Sequence, residues 1–320
     1  MMRVGIIGAC GHGGTAFAGQ LPVSFIGAAP GTYDEPGVRA LCEARKIDYY
    51  VNWQDLLPRC DAVVVNTVFA ENAAIAEAAL RQGLHVYAEK PAATDTAALA
   101  RLRDAAAASD RLYFSMLTLR YDPWFRTAKR LLDAGAIGQP RLVTAQKSYK
   151  LGRRPAFYAD RALYGGTIPW IGIHVIDLAL WMTGLACEAV RGRHARAANG
   201  GNGSMESTAT VDMTLTGGVE AQLHMDFLRP GNAPTHGDDR IRIAGDAGVL
   251  EVRDRQVRLI NADHDGTVPV PNAPCEPIFD AFLTLAADPA LRRDPIHAGI
   301  DAFEATRIAL EARDDADAHA

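Results

Sequence analysis

The chain has 320 residues and a formal net charge of -5, with 48% hydrophobic and 22% charged residues, so two domains are expected and nucleic acid or an anionic membrane is not the expected partner. Five cysteines (Cys10, Cys42, Cys60, Cys187 and Cys275) form no CxxC pair, which fits a reducing compartment and argues against structural zinc or a disulfide frame. Met1-Met2-Arg3-Val4 reads as running straight into a strand without a signal peptide, and the longest apolar stretch, Thr167 to Gly184, is interrupted by Pro169, His174 and Asp177; a cytoplasmic protein is expected.

The first third alternates short β-branched runs with Ala-rich stretches. Val4–Ile7 reads as a strand, Thr15–Gln20 as a helix, Val23–Ala28 as a strand and Pro36–Arg45 as a helix. Ala62–Asn66 is a third strand, Ala70–Arg81 a helix stopped by Gly83, and His85–Ala88 a fourth strand. Thr94–Ala108 is a helix with Thr94 as N-cap, and Leu112–Thr118 a strand. Continuous apolar strands between amphipathic helices require a parallel sheet covered on both faces, a doubly wound α/β (Rossmann) domain over residues 1-120.

Beyond about residue 140 the pattern changes. Arg141–Tyr149, Glu188–Ala197, Ser207–Leu215, Val219–Phe227, Arg240–Ala244, Gly248–Arg253 and Gln256–Ile260 read as strands joined mostly by turns, with Thr216-Gly217-Gly218 as a hairpin signal. Their polar/apolar alternation fits a large, mostly antiparallel open sheet with one face covered. A helix over Ile168–Met182 precedes most of them, and helices over Cys275–Ala287 and His297–Arg313 close the chain. The result is a C-terminal α+β domain over 121-320. Asn199–Gly203 is a loop tip or hinge, and the acidic Asp314-Asp315-Ala316-Asp317 reads as a solvated end.

Gly8-Ala9-Cys10-Gly11-His12-Gly13-Gly14 follows the first strand and opens a helix. Glycines there permit a tight turn and a close approach of backbone to a pyrophosphate, whose charge is met by helix N-terminal N–H groups. Gly8, Cys10, Gly11, His12 and Gly13 are therefore candidate cofactor-binding residues. The spacing departs from GxGxxG, because Cys10 stands in the second glycine's place. The second strand ends in Ala28-Ala29-Pro30, with no acidic residue for a ribose; Asp34 and Glu35 come several residues later. NAD and NADP both stay open as the cofactor.

Tyr87-Ala88-Glu89-Lys90-Pro91 places a charge pair at the carboxyl end of an apolar strand, where ligands bind open α/β sheets. Pro91 holds Lys90 out of the next helix. A lysine there can hydrogen-bond a substrate hydroxyl and help remove its proton as hydride leaves the same carbon; the plainer alternative is a surface ion pair. With Val63-Val64-Val65-Asn66-Thr67 before it and Arg81-Gln82-Gly83-Leu84-His85-Val86 leading in, this stretch resembles the glucose–fructose oxidoreductase / inositol dehydrogenase (Gfo/Idh/MocA) family. Arg120-Tyr121-Asp122-Pro123, Gly135-Ala136-Ile137-Gly138 and Gly165-Gly166 through Asp177 follow in family order. The resemblance covers about residues 3 to 185 by motif. It implies a Rossmann domain followed by an open sheet that often forms oligomer interfaces, hence a homo-oligomer through the C-terminal sheet. It also implies NAD- or NADP-dependent oxidation of a secondary alcohol on a sugar, polyol, inositol or sugar-acid-like substrate, with Lys90 catalytic and Glu89 and Thr67 near the cofactor.

Trp170, His174, Asp177 and Trp181 recur at i, i+4, i+7 and i+11, one face of a helix. Either His174 and Asp177 are a buried pair that only supports the fold, or His174 accepts the proton of the reacting hydroxyl with Asp177 supporting it. The family pattern at this point is Asp-x-Gly-x-His, and this chain has Trp170-Ile171-Gly172-Ile173-His174. Losing that carboxylate leaves Lys90 and His174 as the acid–base pair, with the indole as a flat wall for a ring. It also keeps open a non-catalytic dinucleotide-binding sensor or partner-binding subunit. In the basic, tyrosine-bearing stretch from Lys147 to Arg161, Tyr149 and Arg153 are candidate substrate residues for gripping a carboxylate or phosphate, joined by Arg120 and Tyr121, against the alternative of a solvated loop. The remaining histidines form no ligand spacing, so no metal is assigned.

Overall fold

The computed structural model describes residues 1–271, 275–293 and 302–319. In chain order it has β1 (Met2–Ile7), β2 (Val23–Ala29), α1 (Glu35–Arg45), β3 (Asp48–Tyr49), α2 (Trp53–Leu56), β4 (Ala62–Val65), α3 (Phe69–Arg81), β5 (His85–Ala88), α4 (Thr96–Ala107) and β6 (Tyr113–Ser115). Then come α5 (Pro123–Asp133), β7 (Pro140–Lys150), α6 (Arg161–Tyr164), α7 (Ile173–Thr183), β8 (Cys187–Ala195), β9 (Thr208–Leu215), β10 (Val219–Arg229) and β11 (Gly237–Gly245). The chain closes with β12 (Gly248–Arg253), β13 (Gln256–Asn261), β14 (Asp265–Val268), α8 (Ile278–Ala287) and α9 (Ala302–Ala318).

Two compact units form. The first runs to Met116 and takes in Ala162–Gly165 and α8. Its six-stranded sheet has the order β3-β2-β1-β4-β5-β6, with its pairs parallel. Every residue of β4 and β5 is buried, as a sheet sandwiched between helices demands. The order reverses between β1 and β4, so the crevice at the carboxyl ends of those strands is the expected ligand position. A boundary drawn at residue 120 assigns α8 to the second domain, yet it packs in the first unit. Phe279 and Phe282 contact the Tyr87 ring at centroid distances of 5.1 and 5.4 Å, and Asp280 accepts hydrogen bonds from the Gln20 and Leu21 N–H groups.

Two local expectations change. The helix expected over Thr15–Gln20 is a 3₁₀ helix over Gly13–Ala18; Asp280 accepts from the Gln20 N–H just beyond its end. Asp95, not Thr94, caps α4, accepting from Ala98 N–H at 2.8 Å. Thr94 packs instead at Gly165, where an added Cβ would lie 2.7 Å from its Cγ2.

The second unit holds Leu117–Arg161 and, from Gly166 onward, α7, β8 to β14 and α9. Its eight-stranded sheet has the order β14-β13-β12-β11-β7-β10-β9-β8, and β7 with β10 is the parallel pair in it. β9 and β10 alternate buried and exposed residues, which leaves one covered face and one open face. All of Ile173–Met182 in α7 is buried. The stretch Arg161–Thr183 is long and apolar enough to cross a membrane by composition, but 94% of its apolar window is buried within the fold.

The expected helix over Ile168–Met182 is in fact a wide π-turn over Ile168–Gly172 followed by α7. The acidic end is not simply solvated. It belongs to α9, where Asp315 accepts from Gly192 N–H at 2.9 Å and Asp317 pairs with Arg161 at 2.8 Å. Helix α9 is described from Ala302, and His297 lies outside the described residues.

Candidate active site

In the first unit the glycine turn closes over the ends of β4 and β5. Gly8 has φ +93°, and a Cβ there would lie 2.5 Å from the Asn66 carbonyl oxygen. Gly11 has φ +60°, and its Cβ would collide with the Glu89 carboxylate; at Gly13 it would collide with the Asn66 amide. Only glycine fits this path. At Gly14 nothing lies within 4 Å of an added Cβ, so the turn opens there. Cys10 donates its N–H to Asn66 O, and Asn66 Nδ2 donates to Cys10 O.

Glu89 is wholly buried under this turn. It accepts from the His12 backbone N–H and from Lys90 N–H at 3.0 Å, and the His12 Nδ1 lies 3.0 Å from its Oε2. Burial opposes its charge, but His12 and Lys90 beside it prevail, and the carboxyl sits below its ordinary value. Lys90 is also wholly buried, its Nζ 4.0 Å from Glu89 Oε1, and the Lys90–Pro91 peptide is cis. Thr67, at the end of β4, donates its N–H and its hydroxyl to Asn72 Oδ1 at 3.0 and 2.8 Å.

The residue that sequence reasoning missed here is Asp34. Its carboxylate accepts from Ala9 N–H at 2.9 Å and Gly31 N–H at 2.7 Å, bridging the glycine turn to the loop after β2. A ribose-binding acid ordinarily stands at the end of that strand. Here the first acid after the strand is Asp34, five residues beyond its end, and that order was the signal for it. Burial raises the Asp34 carboxyl, against the pull of the two N–H donors. The Cys10 thiol, buried and beside Asp34 and Glu89, is pushed up to about 12 and stays neutral.

In the second unit Arg120 and Asp177 form a buried fork. Arg120 Nε donates to Asp177 Oδ2 at 2.9 Å, and a second bond joins Nη2 to Oδ1. The expected pairing of Asp177 with substrate or His174 gives way to this, because a buried guanidinium and a buried carboxylate each need the other. The π-turn changes the register as well. Ile173 N–H donates to Ile168 O, five residues back, so Trp170 does not sit on the α-helical stripe that the i, i+4 spacing implies. Trp170 is buried edge-on to Tyr158 at 6.1 Å. His174 is buried in α7. Gly172 allows that helix its approach to β10, since a Cβ would lie 2.6 Å from Met225 Sδ.

The remaining expected substrate residues divide. Tyr149 lines a cavity with Lys147 and His236, Tyr121 lies under the Arg126 guanidinium, and Arg153 is exposed. Among the described residues no three His, Cys, Asp or Glu are grouped to hold a metal.

Two family models match the chain. Residues 2–116 match the oxidoreductase family with an NAD-binding Rossmann fold, and residues 125–251 match the GFO/IDH/MocA C-terminal domain. The chain belongs to the Gfo/Idh/MocA oxidoreductase family. A solved structure from Thermotoga maritima is 37% identical, covers 100% of this chain and 99% of its own, and superposes with a TM-score of 0.91. Inositol 2-dehydrogenase of Rhizobium meliloti is 26% identical over 249 residues, 76% of this chain and 69% of that one. Inositol 2-dehydrogenase 4 of Saccharopolyspora erythraea is 29% identical over 160 residues, 50% of this chain; the match spans less than half (46%) of that relative's length. The first unit of this Gfo/Idh/MocA member is thus an NAD-binding Rossmann domain. Its residues fit the dinucleotide: left-handed glycines, a turn open at Gly14, and the strand-order reversal at β1.

Proposed function

We propose that this family member is an NAD(P)-dependent oxidoreductase acting on a secondary alcohol of a sugar, polyol, inositol or sugar-acid-like substrate. Residues 1-120 would serve as the dinucleotide-binding domain and 121-320 for substrate binding and self-association through the open sheet. The observation that carries the reading is the coupling at Glu89. One buried carboxylate joins the glycine turn, through His12, to Lys90 at the end of β5. Both side chains are wholly buried, which a surface ion pair is not.

The dinucleotide, when bound, takes up the hydride. The chain's own contribution is acid–base: Lys90 polarises the substrate hydroxyl and His174 accepts its proton. Gly8, Cys10, Gly11, His12, Gly13, Thr67 and Glu89 form the cofactor side. Arg120 and Asp177, satisfied by each other, position α7 and touch no substrate in this reading. The family resemblance and the inositol dehydrogenase relatives support the substrate class.

Trp170 favours a second reading. An indole packed against Tyr158 replaces the family's carboxylate, which suits a dinucleotide-binding sensor without turnover. The two part on one experiment: titration with NADH and NADPH, then a screen of polyols, aldoses and sugar acids at the nicotinamide absorbance band. Turnover on any of them supports the oxidoreductase; tight cofactor binding with none across the panel supports the sensor.

A further inference from the structure

A dinucleotide brings a negatively charged pyrophosphate to the glycine turn, where much of the charge already present has the same sign. The Glu89 carboxylate accepts from the His12 N–H and the Asp34 carboxylate from the Ala9 N–H. Cys10 N–H is taken by Asn66 O, and Gly8 N–H by Ala29 O. Main-chain donors that such a turn ordinarily offers a phosphate are thus occupied within the protein. The helix that follows, Gly13–Ala18, is a six-residue 3₁₀ segment and adds little macrodipole.

The countering charge has to come from a side chain, and the sequence offers few. From Val4 to Val38 there is no lysine or arginine, and His12 is the one histidine. Lys90 is wholly buried beside Glu89, its Nζ 4.0 Å from Oε1. The His12 side chain is 29% exposed against 0% for Glu89, so it stands between that carboxylate and solvent. Its Nδ1 lies 3.0 Å from the Glu89 carboxylate, which can only accept; Nδ1 therefore carries the proton of the neutral ring, and Nε2 is where a second one adds. Histidine ordinarily changes charge between about pH 5 and 8.

The titratable groups around the turn are Glu89 and Lys90 at the end of β5, Asp34 after β2, Glu71 on α3, Cys10 in the turn and Tyr113 on β6. Tyr87 on β5 meets the Thr15 hydroxyl at 2.7 Å, and that hydroxyl donates to His12 O. Burial holds Cys10 and Tyr113 neutral, and the carboxylates outnumber the ammonium.

We propose that His12 takes up a proton at Nε2 when the dinucleotide binds, the imidazolium countering the pyrophosphate while Nδ1–H keeps its bond to Glu89. The proton comes from solvent, and no other bond forms or breaks. Dinucleotide affinity is then linked to pH, and it falls as pH rises through the range in which the bound form loses that proton. The inference rests on the NAD-binding turn alone and is common to the oxidoreductase and the sensor.

The test is calorimetric titration of the full chain with NADH, which has no group of its own that titrates near neutrality, in PIPES and in Tris. These buffers differ in heat of ionisation, so the difference in binding heat counts protons. Binding is expected to take up about half a proton or more between pH 7 and 8, and the dissociation constant to rise about tenfold from pH 6.5 to 8.5. His12→Gln is expected to abolish the uptake and to weaken NADH about tenfold at pH 6.5. His12→Lys, a permanent cation, is expected to restore affinity without uptake and with little pH dependence, which separates lost charge from a folding defect. Binding by the parent without proton uptake would overturn the proposal, as would uptake that survives in His12→Gln. Uptake lost in Asp34→Asn but kept in His12→Gln would assign the proton to Asp34 instead. NADH failing to bind at any pH would overturn the dinucleotide site itself.

Discussion

Glu89 holds His12 at two points, through the backbone N–H and through Nδ1 at 3.0 Å, so the turn that meets a dinucleotide is tied to the strand end that carries Lys90. The carboxylate is buried, and its partners keep it ionised below its ordinary value of 4.5. A carboxyl with a depressed folded value contributes stability that is present above the unfolded value and lost as pH falls through the folded one. Glu89→Gln is therefore expected to cost about 1–3 kcal/mol at pH 7 and to flatten the loss of stability below pH 4.5. Urea unfolding at pH 7, 5 and 3 reads both effects, and equal pH slopes in parent and variant would count against the coupling.

Lys90 has a different dependence. Lys90→Met keeps the length of the side chain and removes the ammonium. Turnover is expected to fall by about 10²–10⁴, with the NADH dissociation constant within a few-fold of the parent. Single-turnover kinetics alongside NADH fluorescence separate the two quantities. Near-normal turnover would remove Lys90 from the acid–base role.

Arg120 and Asp177 make a purely structural prediction. Breaking a buried pair by removing one partner leaves the other charge stranded, so Asp177→Ala is expected to cost about 3–5 kcal/mol. Replacing both, as Arg120→Met with Asp177→Leu, should recover most of that loss. Denaturant midpoints of the parent, single and double variants give the answer, and a double variant no more stable than the single would point to a role beyond the pair.

The architecture was legible where periodicity is a local property. Apolar β4, and β5 apolar after His85, announce a two-sided parallel sheet, and the alternation in β9 and β10 announces a one-sided antiparallel one. The Glu89-Lys90 strand end was equally plain, because position at a strand's carboxyl end is a matter of chain order. What escaped depends on contacts distant in sequence. Asp34 reaches Ala9 across 25 residues and Asp280 reaches Gln20 across 260, and neither leaves a periodic trace. Two-residue β3 is too short for any pattern. The π-turn at Ile168–Gly172 defeated a template built on 3.6 residues per turn, and with it the shared face assumed for Trp170 and His174.

Asp122 predicts an unusual slope. Its folded value of about 7 lies above the ordinary 3.8, so the protonated folded form is favoured. Such an acid gives stability that is full below 3.8 and is lost as pH rises toward 7. The groups facing it are Lys147 on β7, Asp239 on β11 and Arg255 in the turn after β12; Asp239 adds to the upward push of burial, and the two cations oppose it. Asp122→Asn removes the titration. Variant and parent are expected to be alike near pH 4, with the variant increasingly the more stable up to pH 7 and the gap constant above it. Thermal or urea unfolding across that range checks it; a gap independent of pH would place the Asp122 titration elsewhere.

Asp34 bears on the choice between NAD and NADP. Its carboxylate accepts from Ala9 N–H beside the end of β1, and Glu71 lies next to it, accepting from Thr32 N–H at 3.1 Å. Each raises the other's neighbourhood in negative potential, since the Asp34 carboxyl is pushed up first by burial and then, in part, by Glu71. A ribose with two hydroxyls can donate to such carboxylates, whereas a 2′-phosphate meets them as like charge. NADH is therefore expected to bind at least tenfold more tightly than NADPH. Asp34→Asn should narrow that ratio mainly by improving NADPH, and Glu71→Gln should narrow it less. Fluorescence titration of both cofactors against the three proteins measures the ratios directly. Equal affinity for the two cofactors in the parent would show that these carboxylates serve only to hold the glycine turn.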